Sequence, residues 1–367
     1  MPSSTSERRA RVAVVVSGWP RLSETFALHE LEALRDAGVL AAVFATKPGD
    51  GSRCQPGTGG LDVTVLPPGT PTEQAGAAAR ALAGRGVTGV HGYFAHAPAE
   101  VAALTAARLG VPHGYSAHAL DVRKVDPGVL VERAAGAATV VACNVDVAES
   151  LGALGVTAHL IGHGVDLDRF RPPCRDREQP DRLLAVGRLV EKKGFDVLLA
   201  ALARAGAPWR LDVVGDGPER AALQELAHHI GVADRVRFVG SLTHDELPCS
   251  YRGADVVVVP SRVDGRNDRD GLPNVVLEAM ASGRAIVASD VGAIGTAVVD
   301  GETGLLVPPD DPDSLAAALD RLHADRALRR RLGHDARLAA LAEHDLVTCQ
   351  QRFVDAVRAA YGDRCDG

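Results

Sequence analysis

Three short segments of this sequence combine glycine with charged side chains in ways that suit an anionic, hydroxyl-rich ligand. The first is GRLVEKKG at 187–194. Its glycines allow close backbone approach, and Arg188 and Lys193 offer two cationic arms. That combination fits a diphosphate, and it equally fits a charged, solvated loop. The second, GDGPER at 215–220, holds half of a dinucleotide G-x-G-x-x-G fingerprint, with Arg220 where the third glycine belongs. A nicotinamide-type site is therefore disfavoured, and a tight turn neighbouring a phosphate is the reading retained. The third, PSRVDGRNDRDGLPNVVLEAMASG at 260–283, is the most informative. Asp270 lies on a loop, and Glu278 lies one turn inside a helix that begins near Asn274, on the same face as Asn274. A carboxylate accepts hydrogen bonds from two vicinal hydroxyls, so such a pair suits a sugar and a ribose. Backbone N–H groups across Gly271, Leu272, Pro273 and Asn274 face the same region and can hold phosphate oxygens. Glu278 stands on an otherwise apolar helix (Val275, Val276, Leu277, Ala279, Met280), where a carboxylate needs a reason to be. Complementing the helix macrodipole would explain Asp270 better than Glu278.

Such loops have to be presented by strand ends, and the surrounding pattern supplies them. Short β-branched runs alternate with Ala/Leu-rich helical stretches, as in βαβ units with parallel sheets. In the first half, strands are expected at 12–16, 41–45, 63–66, 89–93, 113–116 and 139–143, with a helix over 26–36 closed by Gly38. The segment RFRPPCRDREQPD at 169–181 breaks the pattern with prolines and charges and reads as an inter-domain linker. Alternation then resumes with strands at 183–186, 211–214, 236–239, 256–259 and 285–288, and helices over 195–205, 219–230 and 274–281. The expected fold is α/β: two consecutive doubly wound, Rossmann-like domains, with ligand sites beyond the carboxyl ends of the strands. After Asp313 the chain reads as helical, with Val354, Val357 and Tyr361 in one apolar stripe.

The length of 367 residues agrees with two domains. Apolar residues make up 46% and charged residues 24%, which excludes general disorder. The net charge of -7 gives no general attraction to nucleic acid. Six widely scattered cysteines without a C-x-x-C pair argue against a disulfide framework or zinc motif and favour reduced thiols. The apolar run after the polar N-terminus is too short for a signal-peptide core, and nothing approaches the roughly 20 residues of a membrane span. A soluble cytoplasmic protein is the expectation, with peripheral membrane contact left open through a surface patch. D-x-D triplets at Asp166/Asp168, Asp268/Asp270 and Asp311/Asp313 are expected by chance among 47 acidic residues. No metal is assigned to them.

The segment from Asp270 to Glu278 resembles the E-x7-E signature of the family-four retaining glycosyltransferases. GRLVEKKG, VGDGPER, RVRFVGSL, ADVVVVPS, EAMASGRAIVASDVG and VDGETGLLV follow in that family's order and spacing. The first half resembles it more loosely, through SETFALHEL, the stretch from GYFAHAP to YSAHALDV, and GHGVDLDRF. The resemblance implies a GT-B fold, two Rossmann-like domains facing across a cleft: an acceptor-side domain over 1–172, a nucleotide-sugar domain over 173–345, and a helix over 346–367 returning to the first domain. It implies that Arg188 and Lys193 neutralise the donor diphosphate, in place of a metal, and stabilise the leaving group. It places Glu278 on the ribose, Asp270 and the backbone of Gly271–Asn274 on the donor sugar, and Gly18, in the loop after the first strand, against the phosphates. His118 matches the family histidine that faces the transferred sugar, and His96 is a weaker candidate for the acceptor side. Two departures stand out. Asp270 replaces the usual glutamate, one methylene shorter, and Gly292-Ala293-Ile294-Gly295-Thr296 replaces the usual Gly-Gly-Ile-Pro-Glu.

The expected activity is transfer of a hexose-type sugar from a nucleotide diphosphate, UDP favoured and GDP possible, to a saccharide, lipid-linked or natural-product hydroxyl. No cofactor is expected. The competing readings are a GT-B phosphorylase or nucleotide-sugar epimerase, and, in another class, a non-catalytic nucleotide-sugar-binding subunit.

Overall fold

The structure is a computed structural model that describes residues 10–21, 24–49, 55, 57–173 and 181–362. Cys54, Cys174, Cys365 and most of the 169–181 linker lie outside the described residues. The chain divides into two compact units, the first comprising Met1–His163 and Thr348–Gly367, the second Gly164–Val347.

Unit 1 is built on a seven-stranded sheet of β1 (Val12–Trp19), β2 (Leu40–Pro48), β3 (Val63–Val65), β4 (Gly89–Tyr93), β5 (His113–Ala117), β6 (Thr139–Ala142) and β7 (His159–Leu160). All its pairings are parallel, in the order β3-β2-β1-β4-β5-β6-β7. Successive side chains of β1 point to opposite faces. Val12, Val14 and Val16 pack with the helix Thr25–Asp36, while Ala13 and Val15 pack with Pro71–Leu82 and Ala97–Leu109. A strand buried on both faces has to be apolar throughout, which is why VAVVV reads as a continuous run.

Unit 2 repeats the plan with β8 (Arg182–Val186), β9 (Arg210–Val214), β10 (Val236–Gly240), β11 (Val256–Val259), β12 (Ala285–Ser289) and β13 (Leu305–Val307). Their order is β10-β9-β8-β11-β12-β13, again all parallel, so the chain reverses direction across the sheet between β8 and β11. Val256 and Val258 face one core layer, Val257 and Val259 the other.

Three features differ from the sequence reading. β1 runs on to Trp19, so Gly18 sits inside the strand opposite Lys47 and not in the loop after it. The short strands β7 and β13 carry too few residues to show a period. The unit boundary precedes Gly164, because Val165 and Phe170 are buried in the core of unit 2. The Arg337 guanidinium fixes that segment by donating to the carbonyls of Leu167 (3.2 Å), Phe170 (3.3 Å) and Ala281 (2.6 Å).

The helix Leu346–Tyr361 belongs to unit 1, where Phe353, Val354, Val357 and Tyr361 are buried. Tyr361 packs flat onto β4 and β5, where a Cβ on Gly89 would lie 2.2 Å from its ring and one on Gly114 would lie 2.6 Å from its hydroxyl oxygen. The hydroxyl bonds His91 Nδ1 at 2.9 Å, and His91 Nε2 meets Ser116 Oγ at 2.9 Å. Burial pushes His91 down to about 3, so this imidazole stays neutral. Among the described residues, no helix is long and apolar enough to cross a membrane. Tyr361→Phe strands a buried imidazole nitrogen and should cost about 1–3 kcal/mol, read as a lower denaturation midpoint. An unchanged midpoint would show that this bond does not hold the helix.

Candidate functional site

In unit 2 the loops leaving β8 and β11 emerge side by side at the point where strand order reverses, and they are laced together. Arg262 donates its backbone N–H to Lys192 O (2.9 Å) and its Nε to Glu191 O (3.0 Å), and Gly265 N–H reaches Glu191 Oε1 (3.2 Å). Asp264 closes the inner turn by accepting the N–H groups of Arg266 and Asp268. Gly194 (φ 61°) makes the lacing fit, since a Cβ there would lie 1.9 Å from Pro260 O. The glycines of GDGPER serve the same loop from its other side. Cβ atoms on Gly215 and Gly217 would lie 1.9 and 2.3 Å from the carbonyl oxygens of Gly187 and Leu189.

At the head of the laced loops is Asp270, 8% exposed. Its Oδ2 accepts from Lys193 Nζ at 2.8 Å and from Ser261 Oγ at 2.7 Å. Lys192 Nζ lies 3.6 Å from Oδ1 and 3.3 Å from Asp268 Oδ2, so both carboxylates of the D-x-D triplet share this lysine. Burial alone would raise the Asp270 carboxyl, but Lys193, Lys192 and the two hydrogen bonds outweigh it and hold it below the usual aspartate value. The group is an ionised acceptor at neutral pH. Lys193 has further ammonium protons to offer an anion. Beside this cluster is a small recess between the ends of β8 and β11, lined by Val186, Lys193, Phe195, Val259, Ser261 and Val275.

Arg188 is exposed at the start of the first loop and makes no ion pair among the described residues, which leaves its guanidinium available. Of the backbone donors expected across 271–274, Pro273 has none to give, so Gly271, Leu272 and Asn274 supply the N–H groups there. Asn274 opens the helix Asn274–Ala281, and Val276 N–H is taken by Pro273 O (2.9 Å) at its start. Gly292 (φ 60°) packs against this run, since a Cβ would lie 2.2 Å from Asp270 O. Ala293 N–H donates to Gly271 O (3.3 Å), so the unusual Gly-Ala-Ile-Gly-Thr segment buttresses the Asp270 loop.

Glu278 is 5% exposed and sits in a different environment from Asp270. Tyr251 donates its hydroxyl to Oε2 at 2.6 Å, and His244 Nε2 lies 3.4 Å from Oε1. Burial and the adjacent carboxylate keep the Tyr251 phenol protonated far above its ordinary range. The structure thus joins Lys193 to Asp270 and gives Glu278 its own partners. Lys192, Ser261, Tyr251 and His244 were not singled out from sequence, because nothing local marks which side chain meets which carboxylate, whether 9 positions away, as for Ser261 and Asp270, or 27, as for Tyr251 and Glu278.

In unit 1, His118 follows β5 and is 8% exposed within an aromatic wall. Its ring centroid lies 4.7 Å from Phe94, 5.1 Å from Tyr93, 5.3 Å from Phe26 and 5.4 Å from His163. Asp121 accepts the backbone N–H of His118 at 2.8 Å, whereas His118 Nδ1 stands 3.9 Å from Asp121 Oδ2, too far for a hydrogen bond. Among the described residues, neither ring nitrogen has a hydrogen-bond partner. Burial, then the neighbouring His163 and His96, push this imidazole well below 6.5 and keep it neutral, with one donor and one acceptor to offer. His96 stacks on Phe94 at 5.4 Å and is pushed down to about 4 by burial and by Lys47 and Arg133. Gly18 lies further along β1, with the Arg21 guanidinium over it: Nε is 3.0 Å from where a Cβ would be.

Residues 180–325 match the family described as Glycosyl transferases group 1. Over 214 residues, 54% of this chain, the sequence is 36% identical to the GDP-mannose-dependent alpha-(1-6)-phosphatidylinositol monomannoside mannosyltransferase of Mycobacterium tuberculosis. Over 225 residues, 56% of this chain, it is 36% identical to the D-inositol 3-phosphate glycosyltransferase of Corynebacterium diphtheriae. The alignments cover 53% and 50% of those proteins, so the chain spans about half the length of the curated relatives it matches. In three dimensions it is similar to a sucrose-phosphate synthase from Thermosynechococcus elongatus, with a TM-score of 0.79 and 25% identity over 95% of this chain and 98% of that one.

The Asp270 cluster sets a pH dependence. Its folded pKa is lowered, so its stabilisation is complete above the unfolded value of about 3.9 and is lost as pH falls through the lower folded value. Asp270→Asn should therefore destabilise by about 1–3 kcal/mol at neutral pH, less than a fully buried pair because Lys193 keeps partial exposure. That difference should shrink in denaturation experiments taken below about pH 4. A difference independent of pH would show that the carboxylate charge is not what the lysines hold.

Proposed function

Since residues 180–325 match the group 1 glycosyltransferases, we propose that the chain transfers a hexose-type sugar from a nucleotide diphosphate donor to a hydroxyl acceptor, retaining the anomeric configuration. The observation that carries this reading is the Lys193–Asp270–Ser261 cluster beside a recess at the switch point of unit 2. It sets a fixed negative acceptor for sugar hydroxyls next to ammonium donors for a diphosphate, beside the positive end of the helix Asn274–Ala281.

In this reading Arg188 and Lys193 hold the diphosphate and stabilise the charge that builds on it as the anomeric C–O bond breaks. The acceptor oxygen forms the new bond on the same face, and its proton passes to the departing phosphate oxygen. Asp270 and the N–H groups of Gly271, Leu272 and Asn274 position the donor sugar. Glu278, held by Tyr251, accepts from the ribose through the oxygen that Tyr251 does not use. In unit 1, neutral His118 hydrogen-bonds a sugar hydroxyl, and His96 belongs to the acceptor side. Gly18, near the end of β1, keeps its proposed place against the donor phosphates.

The base is the finer question. A uridine diphosphate donor is the reading drawn from sequence, while the Mycobacterium tuberculosis relative is named for GDP-mannose. Calorimetric titration with UDP, GDP and their hexose conjugates decides between them, and binding of neither nucleotide would remove the donor assignment. Arg188→Ala should lower kcat by roughly 100- to 1000-fold while leaving nucleotide affinity within about tenfold. Full turnover by that variant would overturn the mechanism. Glu278→Gln should weaken nucleotide binding about tenfold or more, from the loss of a charged acceptor. An unchanged dissociation constant would return Glu278 to a purely structural role with Tyr251.

A further inference from the structure

Beneath the aromatic wall of unit 1, His118, His163 and Cys143 bring one ligand atom each to within 4.8 Å of one another. No short sequence motif joins them, since they follow β5, β6 and β7. Three features separate this cluster from an incidental grouping of buried side chains.

The first is what the nitrogens lack. Both ring nitrogens of His118 and Nε2 of His163 are buried without a hydrogen-bond partner among the described residues. Buried polar atoms are rarely left so. The second is how His163 is held. Its Nδ1 lies 3.0 Å from Glu30 Oε1, and Glu30 Oε2 accepts the Tyr93 hydroxyl at 2.7 Å. A carboxylate on Nδ1 fixes the proton there and turns the Nε2 lone pair outward, the arrangement that orients metal-binding imidazoles. The third is the sulfur. Cys143 is a free, buried thiol whose Sγ accepts from Asn144 Nδ2 at 3.3 Å, a bond that would also stabilise a thiolate.

We propose that His118, His163 and Cys143 form a zinc-binding site, with Glu30 and Asn144 as its outer hydrogen-bonding partners and the fourth position open to water. Two imidazoles and a thiolate are the donor set that a borderline-soft divalent cation takes. Tetrahedral zinc with Zn–N near 2.0–2.1 Å and Zn–S near 2.3 Å places its ligand atoms roughly 3.4–3.6 Å apart, so the three side chains need to draw in by only about 1 Å. Binding replaces the thiol proton, which leaves to solvent, with a sulfur–zinc bond. The Glu30 carboxylate, bonded to His163 Nδ1, offsets part of the cation's remaining positive charge through the imidazole. The site stands on unit 1 alone and does not depend on the transferase reading. Where that reading also holds, zinc and a sugar hydroxyl compete for His118.

The test uses the full chain, stripped with chelator and titrated with cobalt(II) as a spectroscopic stand-in. One equivalent should produce a thiolate-to-cobalt charge-transfer absorption that one equivalent of zinc removes. Cys143→Ser should abolish the band while Cys249→Ser, at the exposed thiol, keeps it. Glu30→Gln should weaken cobalt binding roughly 10- to 100-fold. X-ray absorption on the zinc-loaded wild type, which needs no variant to fold, should show one sulfur and two imidazoles in the metal shell. No band at saturating cobalt, a band that survives Cys143→Ser, or a zinc shell without sulfur would each overturn the proposal.

Discussion

The structure depends on one topological constraint: in each parallel sheet the chain leaves two neighbouring strands in opposite lateral directions. Between β1 and β4, and again between β8 and β11, the following helices turn to opposite faces and cannot cover the carboxyl ends of the strands. Loops, not helices, occupy that edge. In unit 2 this puts 187–194 beside 260–270 although they lie some seventy residues apart, and the lacing through Arg262, Glu191 and Lys192 follows from that adjacency. Lys193 then reaches Asp270 because their loops begin on paired strands, Leu183 opposite Val256 and Leu184 opposite Val257.

The polar groups drawn into these edges differ chiefly in how each buried carboxylate is compensated. Leaving one charged and alone would cost several kcal/mol. Asp270 is met by two ammonium groups and a hydroxyl and remains ionised. Glu278 is met by a phenol and lies near an imidazole, and Glu30 receives a phenol and an imidazole. Asp121 has backbone N–H groups, and burial pushes it up to about 6. The consequence is a division of chemistry. The edge of unit 2 offers fixed charge of both signs, suited to a diphosphate and a polyol. The edge of unit 1 offers neutral imidazoles against aromatic rings, suited to hydroxyls or to a soft cation.

Much of this was legible in the sequence, and the reason is local. Strands β4 and β11 and the helix Asn274–Ala281 fall where valine runs, apolar spacing and the flanking glycine or proline place them. A buried parallel strand has to be apolar on both faces and a loop at its end has to be polar, so alternation alone announces two doubly wound domains. The loops after β8 and β11 carry Arg188, Lys193 and Asp270, and the helix that follows β11 carries Glu278. The extension of β1 through Gly18 to Trp19 was not legible, since it is fixed by pairing with β2, forty-eight residues in at Pro48, and not by any period of its own. Nor was the early boundary at Gly164, which burial of Val165 and Phe170 decides.

What the sequence by itself determined is therefore the class of fold, the order of its elements and the loops that carry chemistry. Periodicity, turn residues and residue type act over a few positions and are written in the chain directly. What only the tertiary structure decided is partnership. Lys192 and Ser261 on Asp270, Tyr251 and His244 near Glu278, and Glu30 and Cys143 around His163 are contacts made by packing, from 9 positions apart for Ser261 and Asp270 to 133 for Glu30 and His163. Several of these residues stood inside segments already notable for their pattern, such as SETFALHEL and GHGVDLDRF. Their roles stayed silent because a side chain's charge state and its free lone pairs are set by what packing brings against it, and packing has no one-dimensional signature.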